Sequence, residues 1–291
     1  MTIKEHYVPQ FYLRNFSSTN NMLWVYDRKK NKYFHSPTKD ICYEKNLYET
    51  PWENANPKLG KFVLQNQLEN EFAQQENEYN KILKKAINIC SNPENKDALI
   101  CSSSEKNILA SFVINILLRN PWSLNTAKID PISTAIIEHE DIKSIRDVVE
   151  SIGMGGTKSL VEAAASKVWL DGGFAGSVPE SLKGELLHLN CVFVATKSHQ
   201  FITSSFPVQY RTFDTIDGIT HIESIICPLN PNYALLYSIN PVTKLYRNRL
   251  VTIPAKTTDL INSYYLKVDT EHTRFIIASE KSILESLVAT N

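Results

Sequence analysis

Neither sign of charge is in excess in this sequence: lysine plus arginine and aspartate plus glutamate each number 31, so the formal net charge over 291 residues is zero. A balanced chain has no global basic field to hold nucleic acid non-specifically, and any such contact has to be local. Cysteine pairing is missing as well. Cys42, Cys90, Cys101, Cys191 and Cys227 are widely spaced and contain no CxxC pair, which argues against a disulfide framework or a zinc site and suits buried thiols in a reducing compartment. Long apolar runs are lacking too, ILASFVINILL at 108–118 being too short to span a bilayer, and no basic segment followed by an apolar stretch opens the chain. The expectation is a soluble, cytoplasmic protein with no membrane partner. There is no internal repeat, low-complexity tract, nucleophile elbow, Walker motif or zincin motif. Gly153-Met154-Gly155-Gly156 follows a helical pattern and lacks the P-loop lysine, so it reads as a plain loop.

What is present supports a large core. With 43% hydrophobic residues the chain can fold as one domain over 1–291, a helix-rich part at 1–189 and a sheet-containing part at 190–291 packed against it. Aromatic and β-branched residues flank Asp27-Arg28-Lys29-Lys30-Asn31-Lys32, which predicts a hairpin over 22–34. From Phe62 to Ile89 nothing breaks the chain and apolar residues recur at helical spacing, predicting a long amphipathic helix. Ser102-Ser103-Ser104 with Glu105 is a helix start, and that second helix ends at Asn120-Pro121. Helical patterns also cover about 130–150 and 157–170. After Leu189 the period changes to two, predicting strands over 190–196, 199–203, 222–227 and 233–239, the first two as a hairpin around Lys197-Ser198. From about 256 the pattern returns to helix. The expected fold is therefore α+β and mainly helical, with an N-terminal β-hairpin and a small antiparallel sheet in the C-terminal half.

Polar residues at positions where apolar ones are expected point to a site. Steps of seven from Phe62 place Glu69 and Glu76 in an otherwise apolar row, two turns apart on one helical face. Carboxylates so placed need a partner, a proton or a metal ion, unless the row lies at the edge of the core and both are solvated. Arg119 closes a helix that is apolar almost throughout, with Asn115 one turn before it. It either snorkels to solvent from the helix end or reaches a carboxylate or substrate phosphate in bidentate geometry. In the opening stretch EHYVPQFYLR, His6 can act as acid, base or ligand, or can pack against backbone. If Pro9 starts a helix, Gln10 and Arg14 share a face. Glu138-His139-Glu140-Asp141 reads as a solvated face, because adjacent helical residues cannot ligate one ion. His35, His188, His199, His221 and His272 show no ligand-like spacing.

The segment His6-Tyr7-Val8-Pro9-Gln10-Phe11-Tyr12-Leu13-Arg14-Asn15-Phe16, followed by Leu23-Trp24-Val25-Tyr26-Asp27, resembles the opening of the bacterial family called domain of unknown function 4238. Leu47-Tyr48, Glu69 and Glu76, Leu118-Arg119-Asn120-Pro121 and Pro228-Leu229-Asn230-Pro231 are similar to its later motifs, in the same order. The resemblance implies that His6, Gln10, Glu69, Glu76 and Arg119 belong to one site. It has one departure: Thr203-Ser204-Ser205-Phe206-Pro207 stands where the family usually carries Thr-Ser-Asp-Asn-Pro, so Ser205 replaces an acid.

Three functions compete. A hydrolase of a phosphodiester in RNA or DNA, in a defence or toxin setting, would use His6 as acid or base and Gln10 beside it, with Arg119 on the developing charge and a divalent cation, Mg or Mn, held by Glu69 and Glu76. A non-catalytic sensor would use the same cluster to bind a small anionic ligand or a protein segment, and Ser205 favours it. A buried hydrogen-bond network would dock the N-terminal segment on the long helix. On either functional reading Glu76→Ala leaves stability unchanged or raises it; on the structural one it destabilises.

Overall fold

The structure, a computed structural model, describes residues 4–56, 60–63, 65–95, 98–124, 159, 162–163, 179–216, 218 and 220–290. The opening stretch lies in the interior. Lys4–His6 (β1) pairs antiparallel with Tyr43–Lys45 (β4), and the chain then turns at Pro9 into the short helix Gln10–Arg14 (α1). Pro9 sits at φ −57°, its fixed angle suited to the helix start, and Gln10 and Arg14 share the outer face, joined at 3.4 Å. The inner face carries Phe11, Tyr12 and Leu13, the last two fully buried together with Phe16. The Tyr12 hydroxyl bonds Thr203 Oγ1 at 2.8 Å and donates to the Pro228 carbonyl at 2.7 Å, tying α1 to two distant segments.

The predicted hairpin is present as Met22–Asp27 (β2) and Lys32–Pro37 (β3), but it does not stand alone. It is extended by Phe275–Ala278 (β13) and Thr203–Ser204 (β8) into a four-stranded sheet, in the order β3-β2-β13-β8. A lone hairpin cannot bury enough apolar face, and FIIA at 275–278 supplies the partner. Thr50–Asn56 (β5) and Gly60–Val63 (β6) form a two-stranded ribbon before the long helix Gln67–Ser91 (α2). The helix therefore begins later than Phe62, which belongs to β6. Asn66 breaks the ribbon from the helix with φ 58°, a left-handed conformation that asparagine tolerates, and its N–H donates to Glu49 Oε1 at 2.7 Å. The second predicted helix is Ser103–Leu118 (α3), opened by the reciprocal capping box of Ser102 and Glu105 and buried along almost its whole length.

Pro179–His188 (α4) leads into a five-stranded sheet of Asn190–Thr196 (β7), Gln209–Asp214 (β9), Thr220–Pro228 (β10), Tyr233–Ser238 (β11) and Leu250–Ile253 (β12), in the order β12-β7-β11-β10-β9. Between β11 and β12 lies the single-turn helix Pro241–Lys244 (α5). One sheet face joins the main core through Cys191, Phe193, Leu235 and Tyr237, where α2, α3 and α1 also meet. The other, bearing Val192, Val194 and Ala234, is covered by Ala255–Lys267 (α6). Arg28 donates to the carbonyls of Leu266 and Val268, satisfying acceptors where α6 ends, and to the Thr273 carbonyl in the segment that follows. Lys281–Ala289 (α7) packs on β13 and β2. All five cysteines are free and buried.

Three expectations are corrected. The chain is α+β but not mainly helical with one small sheet: the described residues form four sheets, of two, five, four and two strands, and β12 runs parallel to β7. The hairpin around Lys197-Ser198 does not form, because both edges of β7 are taken, by β11 and β12. Instead the Phe201 N–H donates to the Pro231 carbonyl at 2.8 Å and the Ile202 N–H to Asn262 at 3.2 Å, carrying the chain to the other sheet. The C-terminal stretch is not helical throughout, since β13 interrupts it. The helical patterns at 130–150 and 157–170, the glycine cluster between them and the Glu138–Asp141 run lie outside the described residues, apart from isolated positions. No described helix is long and apolar enough to cross a membrane.

Candidate functional site

Arg119 caps α3 and is 1% exposed, so it does not snorkel. Every nitrogen of its guanidinium is engaged. Nε donates to the Tyr48 hydroxyl at 3.1 Å, Nη2 to the His6 carbonyl at 2.8 Å, and Nη1 to Glu76 Oε1 at 2.7 Å and Asn115 Oδ1 at 3.4 Å. The Phe72 ring lies 4.0 Å from the guanidinium carbon, a cation–π contact in a site with little water. Burial works against the charge, but the Tyr48 and Glu76 neighbours outweigh it and hold the proton more firmly than usual. The same arginine thus joins β1, the Leu47-Tyr48 segment, α2 and α3.

Acids crowd this cation. Glu76 pairs with it directly and is 26% exposed at its side chain. Glu69, two turns earlier on α2, is held above the usual carboxyl range by burial, with Arg119 opposing and Glu76 and Glu49 adding to the rise. Its Oε2 is buried without a hydrogen-bond partner among the described residues. Glu5, fully buried, accepts the Tyr48 N–H at 2.7 Å. A carboxyl with a raised folded-state pKa contributes most to stability below the ordinary carboxyl range, and that contribution is lost as pH rises through the raised value. Glu69→Gln is therefore expected to be more stable than the parent at pH 8, with the advantage vanishing by pH 4. Chemical denaturation at the two pH values checks this, and a destabilised variant at pH 8 contradicts it.

His6 takes part in this network through its backbone rather than its ring. The imidazole is 8% exposed, 3.2 Å from the Lys39 carbonyl through Nε2, and tilted against Tyr43. Burial lowers its pKa, the Lys39 carbonyl opposing and Arg119 adding to the fall, so it is neutral at pH 7 and a donor to Lys39. Gln10 is elsewhere, on the outer face of α1 with Arg14. Gln75 is the glutamine near the cluster, accepting from Asn115 at 3.4 Å. The structure thus brings together Arg119, Glu76, Glu69 and the His6 carbonyl, and does not bring in the His6 ring or Gln10. Among the described residues no group of three His, Cys, Asp or Glu is arranged to hold a metal ion. With one Glu76 oxygen bound to a guanidinium, Glu69 and Glu76 do not fit a divalent cation.

A polar cleft of about 400 Å³ lies on the other side of the opening stretch. Its floor collects three segments singled out in the sequence: Tyr7, Asn120-Pro121 and Ser205. The Asn120 amide donates to the Ser205 carbonyl at 3.2 Å, and Ser205 Oγ accepts the Phe275 N–H at 3.0 Å. Through that second bond Ser205 serves as an uncharged acceptor that ties the cleft floor to β13. The rim carries Lys29, Asp40, Glu44, Glu271, His272 and Arg274. Lys29 pairs with Glu271 at 2.7 Å and Arg274 with Asp27 at 2.9 Å, while the His272 ring stands edge-on to Trp122 at 4.1 Å. Burial keeps the Tyr7 phenol far above its ordinary pKa, with Cys42 and Glu44 adding, so it stays a neutral donor. Sequence reasoning set His272 aside and passed over Asp40 and Arg274, because none carries a spacing signal. The usable signal was that Tyr7, Asn120-Pro121 and Ser205 all fall within quoted motifs.

No curated protein and no solved structure matches the chain. The sequence profile of the family described as "Protein of unknown function (DUF4238)" does match, over residues 4–282, a span holding both the arginine cluster and every residue of the cleft. By that match the chain belongs to the DUF4238 family.

Proposed function

We propose that the chain is a binding module whose small polar ligand occupies the cleft floored by Tyr7, Asn120 and Ser205. The observation that carries this reading is convergence: residues from near positions 7, 120 and 205 meet in one open polar space, while the arginine cluster is closed by its own hydrogen bonds. The rim mixes two cations, Lys29 and Arg274, with three carboxylates, Asp40, Glu44 and Glu271. Such a lining favours a ligand that carries both charges, or several hydroxyls, over a polyanion. The test is a thermal-shift panel of α-amino acids, sugars and mononucleotides. A zwitterionic or hydroxylated member at 100 times its Kd should stabilise the protein by about 2.7 kcal/mol. His272→Ala and Glu44→Lys should abolish that gain. No saturable shift from any compound, or a shift untouched by both substitutions, overturns the reading.

The phosphodiester hydrolase is the second reading, and Glu69 is what favours it. A carboxyl pushed up by burial, with one oxygen that has no hydrogen-bond partner among the described residues, has the parts of a general acid, and the Arg119 guanidinium beside it would have to exchange an internal partner for the substrate phosphate. Single-stranded RNA and DNA incubated with the protein in magnesium or manganese decide between the two. Cleavage lost in Glu69→Gln and kept in His272→Ala would replace the binding reading with the hydrolase.

A further inference from the structure

A further opening lies on neither of these sites. A groove of about 440 Å³ runs between α6 and the sheet face beneath it. Its existence follows from how α6 is pinned. Thr258, Asn262 and Tyr265 form one stripe of the helix, bonded to Thr196 at 2.9 Å, to the Gln200 carbonyl at 2.8 Å and to the Pro207 carbonyl at 2.6 Å. Those bonds fix the helix along one side. The neighbouring stripe, Thr257, Leu260, Ile261, Tyr264 and Lys267, overhangs the sheet, and Leu260 is left 57% exposed.

The floor of the groove crosses all five strands. From one edge to the other it is made of Ile253 on β12, Val194 on β7, Leu236 on β11, Ile226 and Ser224 on β10, and Arg211 on β9. The two cations collect at one end. Arg211 stands opposite Ser224, Tyr264 donates to the Tyr210 carbonyl at 3.5 Å, and Lys267 follows one turn later. No aspartate or glutamate lines the groove, and among the described residues neither Arg211 nor Lys267 is ion-paired. Two uncompensated cations at one end of an apolar channel are complementary to a single anionic head on an apolar tail. Five strands about 4.8 Å apart give a floor of roughly 19 Å, the length of an extended acyl chain of about fifteen carbons.

We infer that this groove binds a free long-chain carboxylate, its head group at Arg211 and Lys267 and its chain laid across Ile226, Leu236 and Ile253. Arg211 is the stronger recognition element, because its planar fork can take both carboxylate oxygens. Leu260 and Tyr264 close over the chain from the helix side.

The test is titration calorimetry of the full chain with myristate, and with myristyl alcohol as the neutral counterpart. The expected result is one saturable myristate site, with the alcohol weaker by about tenfold or more. Arg211→Glu combined with Lys267→Glu should weaken myristate to a similar degree while leaving the melting temperature unchanged, since both side chains are exposed. Three results overturn the inference. They are no saturable binding, equal binding of acid and alcohol, or a dimer in sedimentation that Leu260→Arg dissociates, which would make the groove an interface between copies of the chain.

Discussion

Arg119→Ala is expected to lower the unfolding free energy by about 3–5 kcal/mol, the cost of leaving a buried ionic network without its centre. Four acceptors lose a hydrogen bond together: the His6 carbonyl, the Tyr48 hydroxyl, Glu76 and Asn115 Oδ1, the first two keeping only the 3.2 Å bond that the Tyr48 hydroxyl donates to the His6 carbonyl. Buried acceptors stripped of a charged donor are not repaid for their desolvation by the one weaker bond that remains, and Glu76 is left facing Glu69 with no cation between them. Arg119→Lys should recover only part of the loss, because an ammonium on a flexible stem cannot donate in three directions from one plane. Urea denaturation of the two variants gives the answer. A loss within about 1 kcal/mol for the alanine variant would mean the network is solvated in solution and open to a ligand. By the same argument Glu76→Ala destabilises, in contrast to the outcome expected if the cluster stored unfavourable charge for catalysis.

The second large effect belongs to Phe112. It is 1% exposed at the centre of α3, with the rings of Phe11 and Tyr12 each 6.0 Å away and Tyr79 at 5.6 Å. One side chain therefore holds α1, α2 and α3 in register. Phe112→Ala should cost about 3–5 kcal/mol, from lost transfer free energy plus the cavity left among rings that cannot collapse inwards. Phe112→Leu should cost clearly less, because much of the volume is kept. Denaturation midpoints measure both, and near-ultraviolet circular dichroism should show the tyrosine environment loosened in the alanine variant. Equal costs for the two would place the loss in the ring contacts rather than in the cavity.

These two residues show what could be read from the sequence. Phe112 was legible as part of a helix enclosed by others, because a run with only Ser111 and Asn115 as polar residues has few other stable environments. Arg119 was legible as an anomaly at the end of that run, and its need for a carboxylate as a consequence, which the structure answers with Glu76. The direction of the His6 ring was not legible, because spacing along a chain does not say which way a side chain faces, and a three-residue strand presents its carbonyl to Arg119 as readily as its imidazole. The sheets were underestimated for a related reason. β13 and β8 are short and separated from β2 by most of the chain, and a local period of two cannot announce a partner so remote. The cleft depends on that same remote pairing, since Ser205 and Phe275 meet only across β8 and β13, so no local pattern contained it.

That pairing also bears on how the protein is made. The register joining Asp27 to Phe275 cannot form on a ribosome until residue 275, about 250 positions after its partner, has left the exit tunnel. Until then β2 and β3 exist only as an isolated ribbon, and the aromatic face of α1 has no floor beneath Tyr12, whose partners sit at Thr203 and Pro228. Phe112 can cover Phe11 and the Tyr12 ring once α3 is made, but the open edge of β2 at Trp24 and Tyr26 waits for residues 275–278, and in that interval it offers a chaperone an exposed aromatic strand.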